Sequence, residues 1–274
     1  MTAASSPAAA TPAPAPPAKL LVMATIAPIY CFTKNVAGDL ADVEMIVPPD
    51  GNGGTFQPSP DQVRHILQAD MVVENGFGFE KWMDALAAAG LSQGEQRVIA
   101  ARGTGPGIPG LPGDPDSPPS NATPDFSGPP DPHVWLDPVM AIKEVQNIRD
   151  ALMARDPAHA DQYLANENRY ESALRDLDDE IGRMTVDIPN RQVVCLGNPF
   201  TYFLSRYEFT VARVVQSPAD VTGSDILLAP AGATLPKSPR VIALNPMESG
   251  PASTDFYEQE TLANVQALRD GLSR

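Results

Sequence analysis

The stretch from Pro157 to Val186 constrains the fold more than any other part of the chain. Tyr163, Tyr170, Leu174, Leu177, Ile181 and Met184 step along it by seven, four, three, four and three, which places them in one stripe on an α-helix. The opposite face is rich in Asp, Glu and Arg. So long an amphipathic helix lies across a surface, and the stripe is core. A second helical segment, Pro138 to Ala154, precedes it.

Short apolar runs alternate with helical patterns on both sides of this pair. Before it, Leu20–Thr25, Val43–Val47 and Met71–Val73 read as buried strands. Between them, Pro28 opens a helix through Ile29, Phe32 and Val36 that ends at Gly38. Ser59-Pro60-Asp61-Gln62 has an N-cap serine, a proline at the first helical position and a glutamine at the third, which together start a helix. Phe79 to Ala89 reads as another. After the long helix come strands at Arg191–Leu196, Phe209–Val215, Ile226–Leu228 and Val241–Leu244, with helices at Phe200–Tyr207 and Thr254–Leu272. The expected fold is therefore α/β, with two lobes of mainly parallel sheet bridged by one long helix. The N-terminal lobe is expected over 19–137, the connecting helices over 138–186 and the C-terminal lobe over 187–274. Between Val215 and Val241 the chain is mostly Pro, Ala, Gly and Ser, so the second lobe reads as trimmed. Ligands in such folds bind outside the carboxyl ends of the strands, between the lobes.

Composition removes several functional classes. A net charge of −15 without a Lys/Arg-rich stripe repels phosphate backbones and argues against nucleic-acid binding. No run of about 18 apolar residues is present to span a membrane. With three histidines and no nucleophile–histidine–acid pattern, an enzyme is not expected. Residues 1–18 are almost wholly Ala, Ser, Thr and Pro, the composition of a semi-rigid tether. Such tethers follow the cleavage site of exported bacterial proteins, so Met1 reads as a start placed after a removed export signal. Gly103 to Pro132 is a long Pro/Gly-rich loop without lysine or histidine. Cys31 and Cys195 either form one bridge or are two buried small hydrophobes.

The chain resembles the metal-binding solute-binding proteins that feed zinc and manganese ABC transporters. Matching segments begin with Ala24-Thr25-Ile26-Ala27-Pro28-Ile29, Val47-Pro48-Pro49 and Thr55-Phe56-Gln57-Pro58-Ser59-Pro60. They continue with Ala69-Asp70-Met71-Val72-Val73-Glu74-Asn75-Gly76 and Phe79-Glu80-Lys81-Trp82. The most specific is Asp131-Pro132-His133-Val134-Trp135-Leu136-Asp137-Pro138, and Leu244-Asn245-Pro246-Met247-Glu248 closes the series. The resemblance implies a periplasmic or extracytoplasmic receptor, tethered or lipid-anchored and monomeric, working with an ABC permease. Its cargo would be a metal ion buried between the lobes.

The resemblance also exposes what has changed. Four imidazole or carboxylate ligands normally close such a site. Gly54 stands where the family carries its first histidine, His133 retains the second, and Gly197 occupies the place of the third. Glu248 is the carboxylate near the fourth. Two glycines in place of histidines widen the cleft and bring backbone N–H groups within reach of something larger than a bare ion. The expected ligand-binding set is His133, Gly54, Gly197, Asn198 and Glu248, with His133 the metal ligand. The cargo is a divalent metal or a metal chelate. The alternatives are a non-metal small molecule, a degenerate interaction protein without cargo, or copper(I) at Cys195 and Met247. His133 itself is either a ligand or a packing partner of Trp135. His65 and His159 read as surface or capping residues.

Overall fold

The computed structural model describes residues 19–92, 96–104, 131–197, 199–221, 225–233 and 240–273. Most of the 103–132 loop and the whole 1–18 segment therefore lie outside the described residues.

The chain forms two four-stranded parallel sheets. The first has the order β2-β1-β3-β4 and contains β1 (Leu20–Ala24), β2 (Ala41–Met45), β3 (Met71–Glu74) and β4 (Arg97–Ile99). The second has the order β6-β5-β7-β8 and contains β5 (Gln192–Leu196), β6 (Thr210–Val215), β7 (Ile226–Pro230) and β8 (Arg240–Leu244). Each order reverses beside the sheet's first strand, the kind of switch point at which a crevice opens beyond the carboxyl ends of the strands.

Local chemistry accounts for the helix boundaries. Helix α1 (Ala27–Ala37) ends at Gly38, whose φ of 56° suits glycine and whose N–H reaches Lys34 O at 2.8 Å. Helix α2 (Pro60–Ile66) has the expected capping box between Ser59 and Gln62. The stretch expected as a helix from Phe79 begins only at α3 (Met83–Ala88), because Gly76, Phe77 and Gly78 all have positive φ and carry the chain through a turn first. Helix α4 (Pro138–Arg155) starts at Asp137, whose carboxylate accepts from the N–H groups of Val139 and Met140.

Helix α5 (Ala160–Thr185) follows a 3-10 turn over Pro157–His159 and is the expected long helix. It buries Tyr163, Tyr170, Leu174, Leu177 and Ile181 against α4, α1 and the last helix, α7 (Phe256–Leu272). Each such aliphatic side chain contributes roughly 1.5–3 kcal/mol relative to an exposed one. Glu167 shares the stripe and is buried too, paired with Arg149 of α4 at 3.1 Å. Phe32 of α1 packs edge-on against Tyr257 of α7, with ring centroids 4.9 Å apart. The final helix thus seals the first lobe as well as the second.

The second sheet carries a separate apolar cluster. Helix α6 (Thr201–Arg206) connects β5 to β6, while the described residues between β6 and β7 hold one 3-10 turn, Pro218–Asp220. A parallel crossover usually carries a helix. Val194, Val215, Leu227 and Ala229 form their own apolar cluster there, flanked by Leu196, Val221, Ala233 and Val241.

Candidate functional site

The loops that leave the carboxyl ends of the strands meet between the two sheets. His133 sits just before a 3-10 turn, Val134–Leu136, that leads into α4. Its Nδ1 is 2.6 Å from Asp131 Oδ1, which also accepts from the His133 backbone N–H at 2.9 Å. Its Nε2 is 3.1 Å from Glu248 Oε1, on the loop after β8. Glu248 Oε2 accepts from Asn52 Nδ2 at 2.6 Å, on the loop after β2. Both oxygens of a second-lobe carboxylate are therefore held by first-lobe groups, and His133 lies between two carboxylates.

That arrangement decides the protonation of the pair. Burial alone would lower the His133 pKa, but hydrogen bonds and charge from Asp131 and Glu248 outweigh it and raise the value to about 9. Glu248 moves the opposite way: burial opposes the change, and the hydrogen bonds from His133 and Asn52 carry it below the usual carboxylate value. The site is a salt bridge, with an imidazolium clamped by two carboxylates.

Aromatic rings wall the site. Phe79 stands edge-on to His133 and to Trp135, with centroids 5.7 and 5.1 Å away. Trp135 donates from Nε1 to Pro246 O at 2.9 Å, tying the histidine loop to the Glu248 loop. His133 packs beside Trp135, with ring centroids 5.0 Å apart, as one of the two expectations for it had it. Glu248 is aimed by its neighbours. Met247 is buried with a φ of 58°, its N–H bonded to Asn245 Oδ1, and Asn245 is in turn held by Asn264 and Glu260.

Gly54 lies on the Asn52 loop. A Cβ there would meet Asn52 Oδ1 at 3.5 Å and Phe79 at 3.6 Å, ordinary contacts that leave room for a side chain. Gly197 follows β5 with a φ of 70°, and among the described residues an added Cβ would meet only Pro199 Cδ, at 3.7 Å. Its N–H is bonded to Val215 O at 2.9 Å. The space expected at Gly197 is present, but its amide is engaged in the sheet and is not free for a ligand. Asn198 lies outside the described residues.

Two participants escaped the sequence reading. Asn52 and Asp131 belong to the site only because the chain brings positions 52, 131, 133 and 248 together. Asp131 was within reach, since a carboxylate two residues before a histidine can bond its ring locally. Nothing in the sequence around Asn52 indicates a partner 196 residues away.

The remaining candidates lie in other surroundings. Cys31 and Cys195 are free and buried, and burial pushes both thiols up to about 12. Met247 lines a small pocket of about 10 Å³ with Leu136, Phe200, Leu244, Thr261 and Asn264. His65 pairs with Glu44 at 2.8 Å and His159 with Asp156 at 2.6 Å, both as local surface contacts. Among the described residues, no group of three or more His, Cys, Asp or Glu side chains is arranged to hold a metal ion. The cleft offers one imidazole nitrogen, the Glu248 carboxylate and a carboxamide, with Asp131 on the far side of the ring.

Known proteins share this architecture. The crystal structure of the zinc-bound ZnuA-like domain of Streptococcus pneumoniae AdcA superposes with a TM-score of 0.72 at 24% identity, covering 94% of this chain and all of that one. The zinc-bound AdcA structure from the same organism matches with a TM-score of 0.74 and 26% identity, over 94% of this chain and 58% of that one. Among sequences, the iron-binding protein YfeA of Yersinia pestis is 31% identical over 193 residues, which is 70% of this chain and 58% of that protein. The high-affinity zinc uptake system protein ZnuA of Bacillus subtilis is 29% identical over 189 residues, 69% of this chain and 59% of that protein. The matched region therefore spans less than two thirds of either relative's length. The model of the family described as zinc-uptake complex component A, periplasmic, matches residues 22–227, and with the parallel two-sheet fold and the retained His133 loop this chain belongs to that family.

Proposed function

We propose that the chain is the extracytoplasmic receptor of an ABC importer and that it takes a divalent metal ion, or a complex of one, between its lobes at His133 and Glu248. One observation carries this reading: His133 Nε2 and Glu248 Oε1, from loops on opposite lobes, face each other at 3.1 Å. Two ligands bound at roughly 2.0–2.2 Å to one cation stand about that far apart. An imidazole and a carboxylate also form the mixed N/O pair that zinc and manganese accept. The relatives named for zinc, iron and manganese binding support the same cargo class. The open space at Gly54 and Gly197 favours a cargo that brings its own further ligands, water or a chelator. On this reading, residues 19–137 and 187–274 are two lobes that α4 and α5 hold together, and the chain acts as a monomer with a permease and without catalysis.

Metal analysis of the purified protein, followed by calorimetric titration with Zn²⁺ and Mn²⁺, tests the proposal. The expected result is one ion per chain, with a large loss of affinity in His133→Ala. A stoichiometric organic ligand without metal in native mass spectrometry, or unchanged affinity in His133→Ala, refutes it.

A further inference from the structure

Asn75 follows β3 directly and is fully buried. Its backbone is fixed first. The N–H donates to Glu80 Oε1 at 2.8 Å, and the carbonyl accepts from the Ala101 N–H at 3.0 Å. Glu80 is buried too, and its carboxylate also accepts from the Thr25 hydroxyl and the Gly76 N–H. From this frame Asn75 Nδ2 donates to Pro132 O at 2.9 Å and to Gly76 O at 3.2 Å. Both partners are carbonyls, which only accept, so they fix which end of the carboxamide carries the nitrogen.

Pro132 O is the carbonyl of the peptide bond that enters His133. It accepts from the Val134 N–H at 2.9 Å as well, while the N–H of the same peptide bond donates to Asp131 Oδ1 at 2.9 Å. The plane of that peptide is therefore determined at both ends. Asp131 and Val134 belong to the same short turn and move with it. Of these hydrogen bonds, only the one from Asn75, 57 residues away, ties the turn to the first sheet. A buried donor enforces such a tie, because leaving it unmade costs its full desolvation. We infer that Asn75 is a positioning residue of the cleft, fixing the Pro132–His133 peptide so that the imidazole meets Glu248. The inference rests on the reading of His133 and Glu248 as the site and adds the residue that brings them face to face.

Thermal unfolding of a double-mutant cycle tests it without any cargo, so its outcome is separate from that of the metal titrations. Glu248→Gln keeps the side chain's shape and removes the charge that faces His133, and Asn75→Leu keeps most of the bulk and removes the donor. No hydrogen bond joins Asn75 to Glu248 among the described residues, so two merely structural defects would add. Glu248→Gln should lower the wild-type Tm by about 3–6 °C. In the Asn75→Leu background the same change should cost less than about half as much, because the pair is already misaligned there. Gln96→Ala is the control: its side chain bonds Ala69 O and Leu67 O at the opposite end of the sheet, and its loss should simply add. Additive losses with Asn75→Leu, the same non-additivity with Gln96→Ala, or no loss from Glu248→Gln in the wild type overturns the inference. A measurement on the wild type covers an Asn75→Leu chain that does not fold. The Asn75 side-chain amide protons should exchange with deuterated water about a hundredfold more slowly than those of an exposed carboxamide, and equal rates overturn the inference.

Discussion

Replacing Arg206 by alanine removes the guanidinium that anchors α6 to the start of α4. Asp137 is fully buried. Its Oδ1 gathers the N–H groups of Val139 and Met140 together with Arg206 Nε, and the arginine side chain is only 14% exposed. Burial works to raise the Asp137 pKa, and Arg206 opposes it. Without the arginine the carboxyl either remains an uncompensated buried charge or takes up a proton, and both outcomes are unfavourable. Breaking one partner from a buried pair costs about 3–5 kcal/mol, and the pair is dry enough here to leave that figure undiscounted. For a chain of this size each kcal/mol lowers the melting temperature by roughly 2–4 °C, so Arg206→Ala should lower it by on the order of 10 °C. The assay is thermal unfolding followed by circular dichroism on the metal-free protein. Asp137→Asn in the Arg206→Ala background should recover part of the loss, because the stranded charge is then gone. A shift below about 2 °C, or no recovery in the double variant, would refute the reasoning.

Two further outcomes concern neighbouring glycines and a buried acid. Gly53→Ala should destabilise by about 1–3 kcal/mol, since its Cβ would meet Ile26 Cγ2 at 2.5 Å and Phe79 Cε1 at 2.7 Å. Gly54→Ala should stay within roughly 0.5 kcal/mol, and chemical denaturation that ranks the two equally would sink the packing argument. Glu144 is fully buried on α4, neither of its carboxyl oxygens has a hydrogen-bond partner among the described residues, and burial, with Glu80 nearby, holds its pKa well above 4.5. Above pH 4.5 the folded chain therefore keeps a proton that the unfolded chain releases, and the wild type loses stability as pH rises. Glu144→Leu removes that slope and should stabilise by about 1–3 kcal/mol at pH 8, with a smaller gain at pH 5. A gain equal at both pH values in paired denaturant titrations would contradict this account.

Much of the fold was legible because its signals are local. The stripe on α5, the capping box at Ser59 and the glycine after α1 each act within a few residues, and all three appear as expected. Strand β4 escaped notice because Arg97–Ile99 is three residues long and shows no alternation. The early start expected for α3 failed because the hydrophobic spacing of Phe79 and Trp82 carries no information about the left-handed turn before it. At the site, His133 and Glu248 could be located from motifs, whereas their bond to each other, and the engagement of the Gly197 amide by Val215, are long-range facts. Which groups remain free for a ligand depends on those pairings and not on residue type.

The contact between α7 and α1 has a consequence for how the chain is made. Phe32 finds its aromatic partner in Tyr257, and Cys31 is within 3.1 Å of Thr254 O. During synthesis the first sheet and α1 emerge early, yet one face of α1 stays uncovered until residues 256–272 have been added. The first lobe must therefore wait, incompletely buried, for the last helix, and a chain halted before α7 would expose the apolar face that chaperones and proteases recognise.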